Sequence, residues 1–136
     1  MPSASTRTIW PNPPIQKWGG NRMLHYVPER NDIISFDSES DSIRTALVLS
    51  SKPYNVQTGL VICSPLSTRI RGTLTEVPVD NLSNPSIVTA NIIQTLAWTD
   101  RNIHFVAEAE NSVMEQVLLR LIPLIGADRV IERFIE

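Results

Sequence analysis

Short apolar runs separated by turn-forming residues constrain the fold of this chain more than any other feature. Most of these runs have the length and the Val, Ile and Leu content that are typical of buried strands. They are DIISF (32–36), TALVLS (45–50), GLVICSP (59–65), LTEVPV (74–79) and SIVTANIIQTLAW (86–98). Stretches such as SESDS, KPYN and DNLSNP separate them and have the composition of turns. The pattern predicts a small, barrel-like β-sheet.

The fourth run alternates in polarity, with Glu76 and Pro78 interleaved with Val77 and Val79. This alternation is typical of a strand that has one exposed face. Pro78 also lacks the backbone N–H that a central strand would donate to its neighbour. We therefore expect a half-exposed or edge strand here.

The hydrophobic period changes in the C-terminal third of the chain. Ser112 followed by Glu115 is a capping-box pattern, and the apolar residues after it recur at helical spacing. This predicts an amphipathic helix that starts near Ser112. Gly126 offers a stop, and DRVIERFIE is then expected to form a second short helix with Val130 and Phe134 on one side.

The first 22 residues contain four of the ten prolines and two of the five glycines, and they show neither a strand period nor a helical one. Terminal segments of this composition are usually irregular. The total length of 136 residues suits one compact domain. We expect an irregular tail at 1–22, which includes Trp10 and Trp18, and one domain at 23–136.

Two residues of the apolar runs are expected in the interior. Cys63, the only cysteine, cannot form an intrachain disulfide and is predicted to be a buried core thiol. Trp98 is predicted to pack in the core or at a dimer interface. No run of about 18 apolar residues is present to span a bilayer, and the N-terminus lacks the pattern of a signal peptide. We therefore expect a cytoplasmic protein that does not act at a membrane.

The net charge of −2 hides an asymmetry along the chain. Arg7, Lys17 and Arg22 precede the first acidic residue, so residues 23–136 carry 9 basic against 14 acidic side chains. A broad basic face for non-specific duplex binding is therefore excluded. Any nucleic-acid site must depend on local positive charge.

Motifs for metals and nucleotide cofactors are missing. His25 and His104 belong to no spacing that suggests a metal site, and His104 is expected to be an ordinary strand histidine. The sequence contains no GxGxxG, GxxxxGK[ST] or GxSxG motif. We predict that the protein uses neither a cofactor nor a metal.

Arg44 is the residue that most invites a functional interpretation, because it lies at the entrance of the apolar run TALVLS. It is either a solvated charge that ends burial or a functional cation held rigidly at the rim of a buried strand. The residue pattern alone leaves both interpretations open.

A linked set of short motifs identifies a family. The chain resembles the MazF/PemK family of toxin endoribonucleases over about residues 26–125. The matching residues are Tyr26-Val27-Pro28, Asp32, Arg44 with Val48 and Ser50, Tyr54-Asn55, Thr58-Gly59, Pro65-Leu66-Ser67, Arg71-Gly72, and Leu96-Ala97-Trp98 with Arg101. The resemblance implies a mainly β, SH3-like barrel with a C-terminal helix, a homodimer, and an RNase that a cognate antitoxin inhibits.

The resemblance also implies roles for individual residues. Arg44 and Ser67 stand at the positions of the catalytic pair that assists metal-independent attack of a ribose 2′-OH on the adjacent phosphorus. A guanidinium offers forked donors to phosphate oxygens, and a hydroxyl offers one more. For Ser67 the alternative is a turn hydrogen bond after Pro65.

Five further residues are candidates for contacts with single-stranded RNA. Thr68, Arg69 and Arg71 are expected to line its path and to supply local positive charge. Asp37 could touch RNA or simply bound a strand, and Arg101 could contact RNA or form a structural ion pair.

Two alternative functions remain. The loop SESDSI between Asp37 and Arg44 is short and acidic, and it has no glycine. This loop favours the first alternative, a member of the family that keeps its dimer and antitoxin grooves but has lost turnover and acts as an antitoxin-binding module. A gyrase poison like those of the CcdB family shares the barrel, but it would end in Trp-Gly-Ile, whereas this chain ends in RFIE.

Overall fold

The computed structural model describes residues 26–38 and 42–135. Within these ranges the elements follow one another in a β-rich order that closes with two helices. They are β1 (Asp32–Asp37), β2 (Ile43–Val48), α1 (Lys52–Thr58), β3 (Leu60–Ser67), β4 (Glu76–Val79), β5 (Ser86–Thr89), β6 (Gln94–Ala97), a single 3₁₀ turn (Trp98–Asp100), β7 (His104–Glu108), α2 (Asn111–Leu124) and α3 (Ala127–Ile135). The predicted tail at 1–22 and the predicted domain start at 23 lie outside the described residues.

The strands form a curled antiparallel sheet in the order β4-β5-β3-β2-β1-β7, with β6 also paired to β3. β3 changes partners along its length, because Leu60–Cys63 pair with β6 whereas Leu66 and Ser67 pair with β5. A strand shared in this way bends the sheet into a half-barrel. The predicted fold class, mainly β with C-terminal helical structure, is confirmed, and β4 is an edge strand as its alternation predicts.

Three local expectations were wrong. The stretch KPYN is the start of helix α1, because Ser51 caps the helix by accepting the Tyr54 N–H and Gly59 ends it in the left-handed region at φ 70°. The run 86–98 is divided into β5, β6 and the 3₁₀ turn, since the chain leaves one part of the sheet for the other near Ala90. Helix α2 starts at Asn111 without a capping side chain, so Ser112 does not form a capping box.

Two buried clusters lie on opposite faces of β1, β2 and β3. One packs against α2 and includes Ile33, Leu47, Val88 and Val117. The other includes Ile34, Phe36, Cys63 and Trp98. Trp98 is completely buried, which confirms its predicted place in the core. The predicted helix after Gly126 is present as α3, whose apolar residues are exposed.

Asn55 connects four parts of the chain through hydrogen bonds, although it is completely buried. Its side-chain amide donates to the carbonyls of Pro28 (2.8 Å) and Ser50 (3.3 Å), and its Oδ1 accepts from the Ser50 hydroxyl. Its backbone carbonyl accepts from Trp98 Nε1 at 2.9 Å. The Ser50 hydroxyl in turn accepts the N–H of Ile62 in β3. Helix α1 is thereby linked to the segment before β1, to Ser50 just after β2 and, through the Ser50 hydroxyl, to β3, as well as to the 3₁₀ turn.

Replacing Asn55 with alanine is expected to destabilise the protein by about 3 kcal/mol, because buried groups of Pro28 and Ser50 lose their partners. Urea denaturation measures this change. Gln57→Ala, an exposed change on the same helix, should alter the free energy of unfolding by less than about 0.5 kcal/mol. An Asn55→Ala loss no larger than that of Gln57→Ala would contradict the proposed importance of this network.

Cys63 is a buried thiol, as predicted. Burial raises its pKa from 9.0 to about 11, and the positive charge of Arg101 acts in the opposite direction. Between these two values the folded protein keeps the proton that the unfolded chain releases. Stability from this group is therefore complete below about pH 9 and is lost as the pH rises toward 11.

The pH dependence of stability should change when this thiol is removed. From pH 9 to pH 11, the free energy of unfolding of the wild type should fall roughly 2 kcal/mol more than that of Cys63→Ala, as the shift from 9.0 to about 11 requires. Urea titrations of both proteins at intervals of one pH unit test this. Parallel pH profiles would contradict it.

Candidate functional site

The register of β2 and β3 brings Arg44 and Ser67 to one face of the sheet. The ladder pairs Ala46 with Pro65 and Val48 with Cys63. Side chains two residues apart on a strand share a face, so Arg44 lies on the same face as Ala46 and Ser67 lies on the same face as Pro65. Both side chains line a single cavity of about 360 Å³.

Residues that the sequence motifs did not single out complete this cavity. Phe36 comes from β1, Ser86 from the start of β5, and Gln94 from the start of β6, where it pairs with Cys63. Thr68, a predicted RNA contact, also lines it. No local pattern marks Ser86 or Gln94, because each reaches the cavity only through strand pairing.

Arg44 and Ser67 are presented differently to the cavity. Arg44 is exposed at the start of β2, and its guanidinium has no hydrogen-bond or ion-pair partner in the part of the chain that the structure describes. Ser67 is half-buried, and its Oγ accepts the backbone N–H of Arg69 at 3.0 Å. The turn hydrogen bond considered for Ser67 is therefore present. It uses the oxygen as an acceptor and leaves the hydroxyl hydrogen available to a ligand.

A second cavity of about 370 Å³ adjoins the first and shares Ser67 with it. Arg69 and Arg71, from the loop after β3, line this cavity together with polar groups of Thr75, Thr89 and Asn91. The predicted RNA-path residues therefore follow one another from the first cavity into the second. The two cavities together offer cationic groups, hydroxyl groups and the side-chain amides of Gln94 and Asn91, and the Glu76 carboxylate also lines the second cavity.

Asp37 and Arg101 lie apart from that path, in a third cavity of about 420 Å³. Arg101 donates to the backbone carbonyl of Asp37 at 3.2 Å, and its guanidinium lies 5.8 Å from the centroid of the Phe36 ring. It thus contacts the Phe36 ring through a cation–π interaction and the Asp37 backbone through a hydrogen bond, and within the described residues it forms no ion pair with the Asp37 carboxylate. Asp37 is the last residue of β1, consistent with its bounding a strand.

Among residues 26–38 and 42–135, no group of three His, Cys, Asp or Glu side chains is arranged to hold a metal ion. His104 is an exposed residue of β7. None of the helices in the described part of the chain has the length and apolarity needed to cross a bilayer.

Comparison with known sequences places most of this fold in one family. Residues 29–125 match the family described as PemK-like, MazF-like toxin of type II toxin-antitoxin system. The endoribonuclease toxin MazF of Escherichia coli K12 is 33% identical over 82 residues, which cover 56% of this chain and 74% of that protein. The endoribonuclease MazF3 of Mycobacterium tuberculosis H37Rv is 28% identical over 86 residues, covering 60% of this chain and 84% of that protein.

Solved structures agree with the sequence comparison. The MazE–MazF complex of Deinococcus radiodurans matches with a TM-score of 0.69 and 32% identity, covering 74% of this chain and 98% of the solved one. MazF of the same organism, solved by itself, matches with a TM-score of 0.68 and 30% identity at the same coverage. The SH3-like toxin fold expected from the motifs is thereby confirmed.

Proposed function

The chain belongs to the PemK-like, MazF-like family of toxins of type II toxin–antitoxin systems, and from this we propose that it is an endoribonuclease that cuts single-stranded RNA at selected sequences without a metal ion. The related proteins of E. coli and M. tuberculosis are endoribonucleases by name. The observation that carries the proposal is the joint presence of Arg44 and Ser67 in one cavity.

The proposed reaction is an internal transesterification. The ribose 2′-oxygen attacks the adjacent phosphorus, the bond from phosphorus to the 5′-oxygen breaks, and the products are a 2′,3′-cyclic phosphate and a 5′-hydroxyl. The 2′-OH loses its proton, and the leaving 5′-oxygen gains one. Negative charge accumulates on the phosphoryl oxygens in the transition state, so preorganised donors directed at them accelerate the reaction.

Arg44 and Ser67 have complementary tasks in this reaction. A guanidinium is a poor proton acceptor and a good donor to phosphate oxygens, so the proposed task of Arg44 is to stabilise charge rather than to remove the 2′-proton. The Ser67 oxygen already accepts the Arg69 N–H, so the hydroxyl hydrogen is the group that it offers to the phosphate. Two donors from neighbouring strands would then hold one phosphoryl group from two sides.

RNA on either side of the cut would use the adjoining surfaces. Thr68, Arg69 and Arg71 supply hydroxyl and cationic groups along the path from the first cavity to the second. The polar lining of the second cavity offers donors and acceptors to the exposed edges of an unstacked base, which is how single-stranded RNA is commonly read. Asp37 and Arg101 are proposed to contact nucleotides beyond Phe36.

Two protein partners follow from the same proposal. A cognate antitoxin with an acidic, partly disordered segment would lie along Arg44, Arg69 and Arg71 in place of RNA. The D. radiodurans relative was solved as a MazE–MazF complex. A second copy of the chain would complete the homodimer expected of this family.

The proposal predicts discrete cuts in long single-stranded RNA incubated with the purified protein in EDTA. Arg44→Ala should cut at least about 100-fold more slowly, because one preorganised donor to the transition state is lost. Primer extension locates the cuts, and gel electrophoresis of a short substrate containing one site measures the rate. A substrate with a 2′-deoxy sugar at the cut position should remain intact.

Arg129→Ala serves as the matched control, because Arg129 is an exposed arginine of α3 outside the matched residues 29–125. It should cut at the wild-type rate. Cleavage that persists in Arg44→Ala would refute the role of Arg44. Absence of cuts by a folded wild-type protein that binds its antitoxin would favour the binding-module alternative.

A further inference from the structure

The loop between β3 and β4 is held by one carboxylate. Glu76 accepts the backbone N–H of Gly72 at 2.8 Å and that of Arg71 at 3.1 Å. The backbone of Glu76 closes the same loop, since its N–H donates to the carbonyl of Thr73 at 3.2 Å. Gly72 adopts φ 77°, a left-handed conformation that a residue with a side chain would rarely take. The loop is therefore wrapped around the Glu76 carboxylate.

Glu76 is itself fixed to the sheet. It is the first residue of β4 and pairs with Thr89 of β5, while Ser67 pairs with Ile87 of the same strand. Because residues two apart on a strand share a face, Glu76 and Ser67 lie on the same face of the sheet, one on each side of β5. Both line the second cavity. A rigid strand thus separates the carboxylate from the hydroxyl.

The loop after β3 connects the Glu76 carboxylate to the Ser67 hydroxyl through two backbone hydrogen bonds. Ser67 Oγ accepts the N–H of Arg69, and two residues later the N–H of Arg71 is held by Glu76. The position of the Arg69 amide therefore depends on how the loop is fixed at its other end. That amide determines which way the lone pairs and the hydrogen of the Ser67 hydroxyl point.

We propose that Glu76 is a positioning residue for RNA cleavage, which acts by holding loop 69–72 so that the Arg69 amide orients the Ser67 hydroxyl toward the phosphate. This inference rests on the proposed endoribonuclease function. Glu76 does not touch the reacting atoms in this scheme. Its carboxylate is matched to the task, because two oxygens can accept several amide hydrogens at once and charged acceptors form the stronger hydrogen bonds.

If Glu76 acted only through its negative charge, removing it would not slow RNA cleavage. A negative charge beside Arg69 and Arg71 would repel RNA, so its loss should tighten binding and leave the cleavage step unchanged or faster. Positioning predicts that cleavage slows even though the cavity becomes more positive. The two effects can therefore be separated by measuring binding and cleavage independently.

The experiment compares wild type, Glu76→Ala and Glu76→Gln. Single-turnover cleavage of a short RNA containing one cut site measures the chemical step, and binding of the same RNA with a 2′-deoxy sugar at the cut position measures affinity. Glu76→Ala should cleave about tenfold more slowly while binding no more than twofold weaker. Glu76→Gln should recover most of the rate, because its amide oxygen still accepts N–H groups although the charge is gone. Thermal unfolding of each variant shows that it is folded at the assay temperature.

A double-mutant cycle with Ser67→Ala tests the route of the effect. If Glu76 acts through the Ser67 hydroxyl, Glu76→Ala should cause less than a twofold further loss of rate in the Ser67→Ala background. Glu115→Ala, a change at an exposed glutamate of α2, is the control and should cleave like the wild type in both backgrounds. A general loss of stability would instead lower the rate in both backgrounds alike.

The outcomes separate this inference from the function on which it rests. If the wild type cleaves RNA and Glu76→Ala cleaves equally fast, the positioning role is overturned and the RNase function stands. The same conclusion follows if Glu76→Ala lowers the rate by a further tenfold in the Ser67→Ala background. A folded wild type that does not cleave overturns both. The proposal is supported if Glu76→Ala slows cleavage by the wild type but causes no further slowing in the Ser67→Ala background.

Discussion

The change of partners along β3 is the constraint on which the rest of the structure depends. Its first half pairs with β6, its middle residues Cys63–Pro65 pair with β2, and its last two residues pair with β5. A single strand can satisfy these neighbours only if the sheet curls, and the cavity lies between β2, the end of β3 and the starts of β5 and β6. Arg44 enters this cavity from β2 and Ser67 from the end of β3. The same strand pairing therefore produces both the half-barrel and the placement of the two functional groups in one cavity.

Buried hydrogen bonds hold this arrangement from the opposite end of β3. Asn55 fixes α1 to Pro28, Ser50 and Trp98, and Ser50 accepts the N–H of Ile62. An unpaired polar group would be costly at such depth, so the network favours one arrangement of α1, β3 and the 3₁₀ turn. The start of β3 is therefore rigidly held, whereas the loop after the end of β3 carries exposed arginines that are available to a ligand.

Local chemistry explains which features the sequence predicted and which it did not. The apolar runs predicted β1, β2 and β3 well, since their burial depends on hydrophobicity alone. KPYN was mistaken for a turn because Pro53 and Asn55 suit both a turn and the first turn of a capped helix. The capping box at Ser112 failed because the chain enters α2 one residue earlier. Arg44 and Ser67 were found through family motifs, whereas Gln94, Ser86 and Glu76 reach the site only through tertiary strand pairing.

The charge distribution is the last element that links this fold to its ligand. Residues 23–136 are net negative, with 9 basic and 14 acidic side chains, so attraction of RNA has to come from the placement of a few arginines. Arg44, Arg69 and Arg71 are exposed around two adjoining cavities. Glu76 lies among them, but its carboxylate accepts the amide hydrogens of the loop that carries Arg71. A carboxylate bound in this way stiffens the loop and has part of its charge balanced by the amide dipoles. A largely acidic domain can therefore present a cationic path to a phosphate chain, or to an acidic antitoxin segment that replaces it.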